Sequence, residues 1–366
     1  MKHQTTRYGE IPFYKIGTFG NTADAFISKK LFLEYKTKYS FPKKGDILIS
    51  ASGTIGRAVI YDGKPAYFQD SNIVWIDNDE TLVKNDFLFY AYSNVKWNTE
   101  HTTILRLYND NFRNTLIPLP PLNEQNAIAN ILSALDRYLC TLDALILKKE
   151  GVKKSLSFEL LSQRKRLKGF NQAWQRVRLG DIAEIIGGGT PSTQVTSFWN
   201  GSINWFTPTE IGITKYIHKS QRTITPLGLK KSSTKLLPIG TILLTSRASI
   251  GDCAILKVVA TTNQGFQSLI PLEKINNEFL YYLMLTLKNK LLKLASGSTF
   301  LEVSPNKIKN LLIPLPPLNE QIAIANILSA LDKEIASLKN KKRQFENIKK
   351  ALNHDLMSAK IRVLKK

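Results

Sequence analysis

Residues 116–136 read LIPLPPLNEQNAIANILSALD, and residues 312–332 read LIPLPPLNEQIAIANILSALD. Twenty of these 21 positions are identical; only Asn126 against Ile322 differs, at an offset of 196 residues. A chain of 366 residues therefore carries two copies of a unit of nearly 200 residues. The rest of each copy resembles its counterpart only faintly. Packing tolerates similar apolar residues, so the match exceeds what a shared core demands. Two different things are carried on two equivalent handles, and the excess identity points to DNA repeats that recombine to exchange the variable parts.

The stretch after each repeat has helical period. Ile128, Ile131, Leu135, Tyr138, Leu142, Leu145, Val152, Leu156 and Leu160 step by threes and fours, interrupted at Lys149. Ile324, Ile327, Leu331, Ile335, Leu338, Phe345, Ile348, Leu352 and Leu356 do the same. Such a seam marks helices that pack lengthwise on a partner helix. Proline is tolerated in a first helical turn, so the helices are expected to begin at or just after Pro121 and Pro317. Each would run about 40 residues, roughly 60 Å. The two are expected to pair as an antiparallel coiled coil, with the lysine-rich KKEGVKK (148–154) and KNKKRQFENIKK (339–350) on outer faces.

The sequence ahead of each helix reads differently. Segments 45–50 (GDILIS), 56–61 (GRAVIY) and 72–77 (NIVWID) are short and β-rich, with glycine punctuation. Their counterparts are 240–245 (GTILLT), 251–258 (GDCAILKV) and 266–272 (FQSLIPL). ASGTI and SRASI sit between the first two strands of each set, so the order strand, small polar loop, Ile-Gly, strand occurs twice. Apolar helical stretches follow at 86–97 and 278–294, and an aromatic pair, Phe13-Tyr14 or Trp205-Phe206, precedes each sheet. Each unit is thus a mixed α/β globule followed by a long helix.

Composition narrows the function. Lys+Arg of 51 against Asp+Glu of 29 gives a net charge of +22, which attracts polyanions. Cys140 and Cys253 stand alone, which excludes a disulfide framework or a cysteine zinc site. His3, His101, His218 and His354 show no metal-ligand spacing. No apolar run approaches the ~20 residues that span a bilayer, and MKHQTTRYGE has no signal-peptide core. The expected location is cytoplasmic.

No catalytic constellation is legible. Gly187-Gly188-Gly189-Thr190-Pro191 lacks the lysine of a phosphate loop and reads as a turn. No G-x-S-x-G elbow surrounds Ser52. What remains are loop residues that suit phosphates and base edges. In the first unit these are Lys15, Thr18, Ser50, Ser52, Thr54, Arg57, Gln69, Asp70, Asn72, Arg106, Asn109, Asn111 and Arg113. In the second they are Thr207, Thr209, Glu210, Lys215, Arg247, Ser249, Asn263, Gln264, Gln267, Ser298 and Thr299. Different residue types at equivalent places look like two variable reading heads.

The element P-L-P-P-L-x-E-Q-x-A-I-A-x-I-L-x-x-L-D, placed twice, resembles the conserved regions of type I restriction–modification specificity subunits. GEIPFYKIGTFG and GDILISASGTIGRAVIY resemble one kind of target recognition domain; WQRVRLGDIAEIIGGGTP and LKKSSTKLLPIGTILLTSRASIG resemble another. The resemblance covers essentially the whole chain. It implies an α+β fold: two mixed α/β recognition domains joined by two long antiparallel coiled-coil helices, an internal pseudo-twofold repeat. The expected division is a first recognition domain over 1–120, a spacer helix over 121–170, a second recognition domain over 171–316 and a second helix over 317–366.

The resemblance further implies a non-catalytic subunit of which each domain reads half of a bipartite, asymmetric site on double-stranded DNA. The helices would set the spacer and dock two modification subunits, with Leu119, Pro121, Glu124, Gln125, Leu315, Pro317, Glu320 and Gln321 as docking candidates. A restriction subunit is an expected further partner. S-adenosylmethionine, ATP and Mg would sit on partner subunits, and no cofactor on this chain. The alternatives are the specificity subunit of a methylation-only complex, or a shortened, silent recombination-cassette variant with an impaired first domain. One departure stands out. WQRVRLGD opens the second unit 29 residues ahead of Ile203-Asn204-Trp205-Phe206, whereas Ile11-Pro12-Phe13-Tyr14 lies ten residues from Met1. The opening strand and turn of the first domain are expected to be missing, in a shortened variant that still folds or whose C-terminal end completes the domain.

Overall fold

A computed structural model describes residues 4–68, 72–97, 106–297 and 301–363. The chain forms two compact units: unit 1 is Met1–Ala144 with Lys339–Lys366, and unit 2 is Leu145–Leu338. Both boundaries fall inside long helices, so each unit contains part of each.

Unit 1 opens with a two-stranded ribbon, β1 (Ile11–Phe13) and β2 (Ala25–Ile27), then α1 (Lys29–Lys38). The central strand β3 (Ile47–Ser50) is flanked antiparallel by β4 (Ala58–Ile60) and β5 (Ile73–Ile76). Next come α2 (Asn85–Tyr92), α3 (Asn109–Arg113) and the first long helix, α4 (Leu122–Leu161). Ile47, Ile49 and Phe87 pack with Ile128 and Leu132 of α4 and with Leu356 and Met357 from the C-terminal part of the chain. Sheet, short helix and both helix segments thus share one core.

Unit 2 elaborates the same plan. β6 (Gln175–Arg178) leads through a 3₁₀ turn, Leu179–Asp181, into β7 (Ala183–Gly187) and β8 (Trp199–Phe206). Then follow β9 (Tyr216–Ile217), β10 (Arg222–Ile224), α5 (Pro226–Lys230), β11 (Ile242–Leu244), β12 (Cys253–Leu256), β13 (Ala260–Thr262) and β14 (Gln267–Pro271). The unit finishes with α6 (Asn277–Thr286), α7 (Lys288–Leu294), α8 (Pro305–Lys309), β15 (Leu312–Leu315) and the first part of α9 (Leu318–Met357). The main sheet runs β7-β14-β11-β12-β9; β10-β8-β13 and β15-β6 form two smaller ones.

Prolines set the starts of both long helices. The Pro121 carbonyl accepts from the amides of Glu124 and Gln125 at 2.9 Å each, and that of Pro317 accepts from Gln321 at 3.0 Å. Within each unit the two helix segments run antiparallel. Asp136 receives the Lys349 ammonium and Asp143 that of Lys342 in unit 1; Lys149 meets Glu334 and Lys153 meets Asp332 in unit 2. Much of the expected seam is buried, with Ile128, Leu142, Leu160, Ile324, Ile335 and Leu356 inside, but the buried track is wider than expected and misses some of its positions. Ile131, Val152 and Ile348 are exposed at 37%, 45% and 49%, whereas Leu132, Ile146 and Leu328 are buried. Lys149, Lys153, Lys342 and Lys349, expected on outer faces, are partly buried in the seam. Each finds a carboxylate on the facing helix, which offsets the cost of taking its charge out of water.

Candidate nucleic-acid interface

The loop between the first two sheet strands is built identically in both units. In unit 1 the Ser50 hydroxyl donates to the Thr54 carbonyl and accepts from the Arg57 amide at 3.1 Å. In unit 2 the Thr245 hydroxyl donates to the Ser249 carbonyl at 2.6 Å and accepts from the Asp252 amide at 3.0 Å. Gly56 and Gly251 close the loops by donating back to the carbonyls of Ser50 and Thr245 at 2.9 and 3.0 Å. Two more segments buttress each loop. Ala51 donates to Asn72 and accepts from Leu107; Ser246 donates to Gly265 and accepts from Val303. Gly53 and Ala248 occupy the same left-handed conformation at the tip, with φ of 67° and 55°.

This frame gathers most of the expected residues. In unit 1 it brings Ser52, Thr54, Arg57, Asn72 and Arg106 together, Ser52 bridging Arg106 backbone to backbone. Thr18 and Lys15 lie on the adjoining turn, because Arg57 Nη1 donates to the Phe19 carbonyl at 2.9 Å. Lys15 pairs with Asp24 at 3.1 Å. Asn109 and Arg113 lie instead on α3, where Arg113 meets Asp110 at 3.4 Å on the open surface.

In unit 2 the frame gathers Arg247, Ser249, Thr207, Thr209, Asn263 and Gln264. The Asn263 amide donates to Phe206 at 3.0 Å, and Thr207 is fixed by Glu210, whose carboxylate accepts its amide at 2.7 Å and its hydroxyl at 2.8 Å. Arg247 meets Glu302 at 2.8 Å and remains 43% exposed. Thr190 donates to the Gln264 side-chain oxygen. Ser298 and Thr299, like Gln69 and Asp70, lie outside the described residues.

Lys215 does not belong to this surface. Its side chain is 11% exposed, paired with Glu278, donating to Tyr282 Oη at 2.9 Å and seated 4.3 Å from that ring. Burial pushes its pKa down while Glu278 opposes the shift. It is an internal tie between sheet and helices, not a displayed surface group.

Two features were not expected. Gly188 and Gly189 press against the 262–266 loop so closely that a Cβ at Gly188 would stand 1.8 Å from the Asn263 carbonyl oxygen. The glycine run is therefore a close backbone approach that carries Thr190 into the loop cluster. Arg222 stacks its guanidinium 3.8 Å from the Trp199 ring centre, and Trp199 meets Trp205 edge-on at 5.0 Å. The doubled aromatics were a visible signal; a lone arginine 17 residues later was not.

The expected docking residues divide sharply. Leu119 and Pro121 are exposed and Pro317 partly so, but Leu315 is buried. Glu124, Gln125, Glu320 and Gln321 are buried at 3%, 1%, 0% and 1%. Gln125 accepts from the Lys84 amide at 2.8 Å and donates to the carbonyls of Leu82 and Pro120; Gln321 accepts from Asn276 at 2.8 Å and donates to those of Lys274 and Pro316. Arg362 grips Glu124 at 2.7 and 2.6 Å, as Arg166 grips Glu320 at 3.2 and 2.7 Å. These four side chains are internal struts that lock each long helix to its own globule. They present no free group to a partner.

The profile of the type I restriction modification DNA specificity domain matches residues 1–149 and 171–347. The chain belongs to that family. A Haemophilus influenzae protein named as a type I restriction enzyme specificity subunit is 63% identical over 137 residues, which cover 37% of this chain and 36% of that one. The Methanocaldococcus jannaschii MjaIX specificity subunit is 42% identical over 181 residues, 48% of this chain and 41% of that one. The chain thus spans about two-fifths of the length of these relatives. Its fold is that of the type I restriction–modification S subunit from M. genitalium, with TM-score 0.61 and 18% identity over 98% of this chain and 91% of that one. Among the described residues no group of three or more His, Cys, Asp or Glu could hold a metal, and no helix is long and apolar enough to cross a membrane.

Proposed function

We propose that the chain is the non-catalytic, cytoplasmic subunit that addresses a type I restriction–modification complex to double-stranded DNA. Each unit reads half of a bipartite, asymmetric site, and the long helices set the spacer between the halves. The observation that carries this reading is the loop built twice on one hydrogen-bond frame with different side chains: Ser52, Thr54 and Arg57 in one copy, Arg247, Ser249 and Asp252 in the other. A frame held constant while its tip varies is what two readers of different sequence require, because bidentate arginine and amide contacts distinguish base edges.

Two modification subunits dock through the outward stripe of the repeat. Asn123, Asn126, Asn130 and Ala134 in one copy match Asn319, Ile322, Asn326 and Ala330 in the other, all exposed. S-adenosylmethionine, ATP and Mg are bound by the partners, including a restriction subunit where one is present. Mapping methylated sites in cells with and without this chain tests the reading. A two-part motif that disappears with the chain is expected; a gapless motif, or methylation unchanged by its loss, rejects it.

A further inference from the structure

Two arginines of unit 2 stand by its loop cluster, and they are held differently. Arg247 pairs with Glu302 at 2.8 Å. Arg222 is exposed, and among the described residues its side chain makes no ion pair and no hydrogen bond. Its guanidinium carbon lies over the face of Trp199, 3.8 Å from the ring centre, and 5.4 Å from the centre of Trp205. The two indoles meet edge to face at 86° and are both buried. Each is fixed by its own N–H: Trp199 Nε1 donates to the Ser192 carbonyl at 3.0 Å, and Trp205 Nε1 to that of Gly189 at 2.9 Å. Arg222 therefore rests in a rigid corner of two rings, held by cation–π attraction, with all of its N–H donors unused.

Two ties place this corner on the loop cluster. The Gly189 and Ser192 carbonyls flank Thr190, which donates to Gln264. Glu210 supplies the second tie. One of its carboxylate oxygens accepts from the amide and hydroxyl of Thr207, and the other accepts from the Gln221 amide at 2.7 Å. The residue before Arg222 is thus pinned to the turn that presents Thr207. Arg222 also pairs with Trp205 between β10 and β8, just ahead of Phe206-Thr207. Unit 1 is built otherwise: the matching aromatic, Phe13, tilts against Tyr67 at 6.1 Å, and among the described residues no arginine lies over its ring.

We propose that Arg222 is a specificity-determining residue of unit 2, donating to the N7 and O6 acceptors of a guanine in the major groove. The proposal rests on the DNA-reading role of the unit. A planar fork of donors matches two acceptors in one plane, and guanine offers that pair. The indole corner restricts the side chain before DNA arrives, so less freedom is lost on contact. A phosphate oxygen is the competing acceptor. It asks only for charge and reach, which a mobile surface arginine already supplies, whereas a base edge demands the fixed aim that the two indoles give.

The test is genome-wide mapping of methylated motifs in cells whose full-length chain is wild type, Arg222→Ala or Arg222→Lys. Both variants should relax one G·C position in one half of the motif, with discrimination there falling about ten-fold or more, and leave the other half unchanged. Lysine keeps the charge and loses the fork, so relaxation by Arg222→Lys is the decisive result. Arg222→Ala lowering methylation evenly at all sites, with Arg222→Lys restoring it, marks a phosphate contact and overturns the proposal. So does a lower melting temperature of the purified variants with the motif intact, which would assign Arg222 to the fold. A wild-type chain that yields no two-part motif rejects the DNA-reading role itself; a wild-type motif that neither variant alters rejects the assignment of Arg222 alone.

Discussion

Leu119 and Leu315 are the same residue in the same seven-residue context, LIPLPPL, yet one is half exposed and the other buried. Nothing local separates them. β6 lies against the second copy, and among the described residues no counterpart lies against the first. The comparison shows that a segment with every strand-forming residue remains a loop unless its edge is met, because an unpaired strand gains no ladder hydrogen bonds. A second contrast lies along the helices. Tyr138 and Phe345 meet at a tilt in unit 1, ring centres 4.7 Å apart, whereas the equivalent positions in unit 2, Glu334 and Lys149, form an ion pair at 2.8 Å. The same antiparallel register is thus held by aromatic contact in one place and by charge in the other.

The largest expected break in this comparison comes from truncating the paired leucine. Leu315→Ala should cost about 2–4 kcal/mol in urea unfolding, and Leu119→Ala less than about 0.5 kcal/mol; equal costs would mean that Leu119 is buried in solution. The two loop frames should separate next. Arg247→Ala is expected to weaken DNA binding by about 1–3 kcal/mol and to relax one half-site only, read by competition with single-base variants. Relaxation of both half-sites would break the assignment of one reader per unit.

Double-mutant cycles sharpen the helix comparison. Tyr138 with Phe345 should couple by about 0.5–1.5 kcal/mol, little affected by salt. Lys149 with Glu334 should couple by about 0.2–1 kcal/mol at low salt and lose most of that in 1 M salt. The smallest effect concerns acid. Arg362 holds the Glu124 carboxyl below its ordinary pKa of 4.5, chiefly through their hydrogen bonds. A depressed carboxylate contributes stability that is complete above its unfolded pKa and is lost as pH falls through the folded value. The stability gap between wild type and Arg362→Met should therefore be constant above about pH 5 and close below it, in melts across pH 3–7. A gap that persists at pH 3 would assign the role of Arg362 to packing.

Much of this architecture is legible in the chain. The doubled PLPP fixes the helix starts to within a residue or so, and the Gly-punctuated apolar runs locate β3, β4, β5, β11, β12 and β14. The seam is legible in outline, but its lysines are misplaced because a lysine in a helical pattern reads as outward-facing. Lys153 and Lys349 turn in only because Asp332 and Asp136 face them from the other helix, information held some 180 residues or more away. The two framed loops are visible as SGTIG and SRASIG, since small polar residues before Ile-Gly mark a tight, repeated turn. Lys215 misleads for a similar reason: its partners Glu278, Tyr282 and Ser329 come from α6 and α9. Glu124 and Glu320 read as a surface handle because carboxylates are rarely buried, and their arginines, Arg362 and Arg166, lie just past the ends of the partner helices.

The split ownership of the two long helices has a consequence for synthesis. Unit 2 is one contiguous stretch, Leu145–Leu338, whereas unit 1 takes its last pieces from Lys339–Lys366. A chain leaving the ribosome possesses every residue of unit 2 before it possesses every residue of unit 1. Domains usually mature from the N-terminus onward. Here unit 1 must wait, with Ile128 and Leu132 uncovered, until Leu356 and Met357 arrive to close its core.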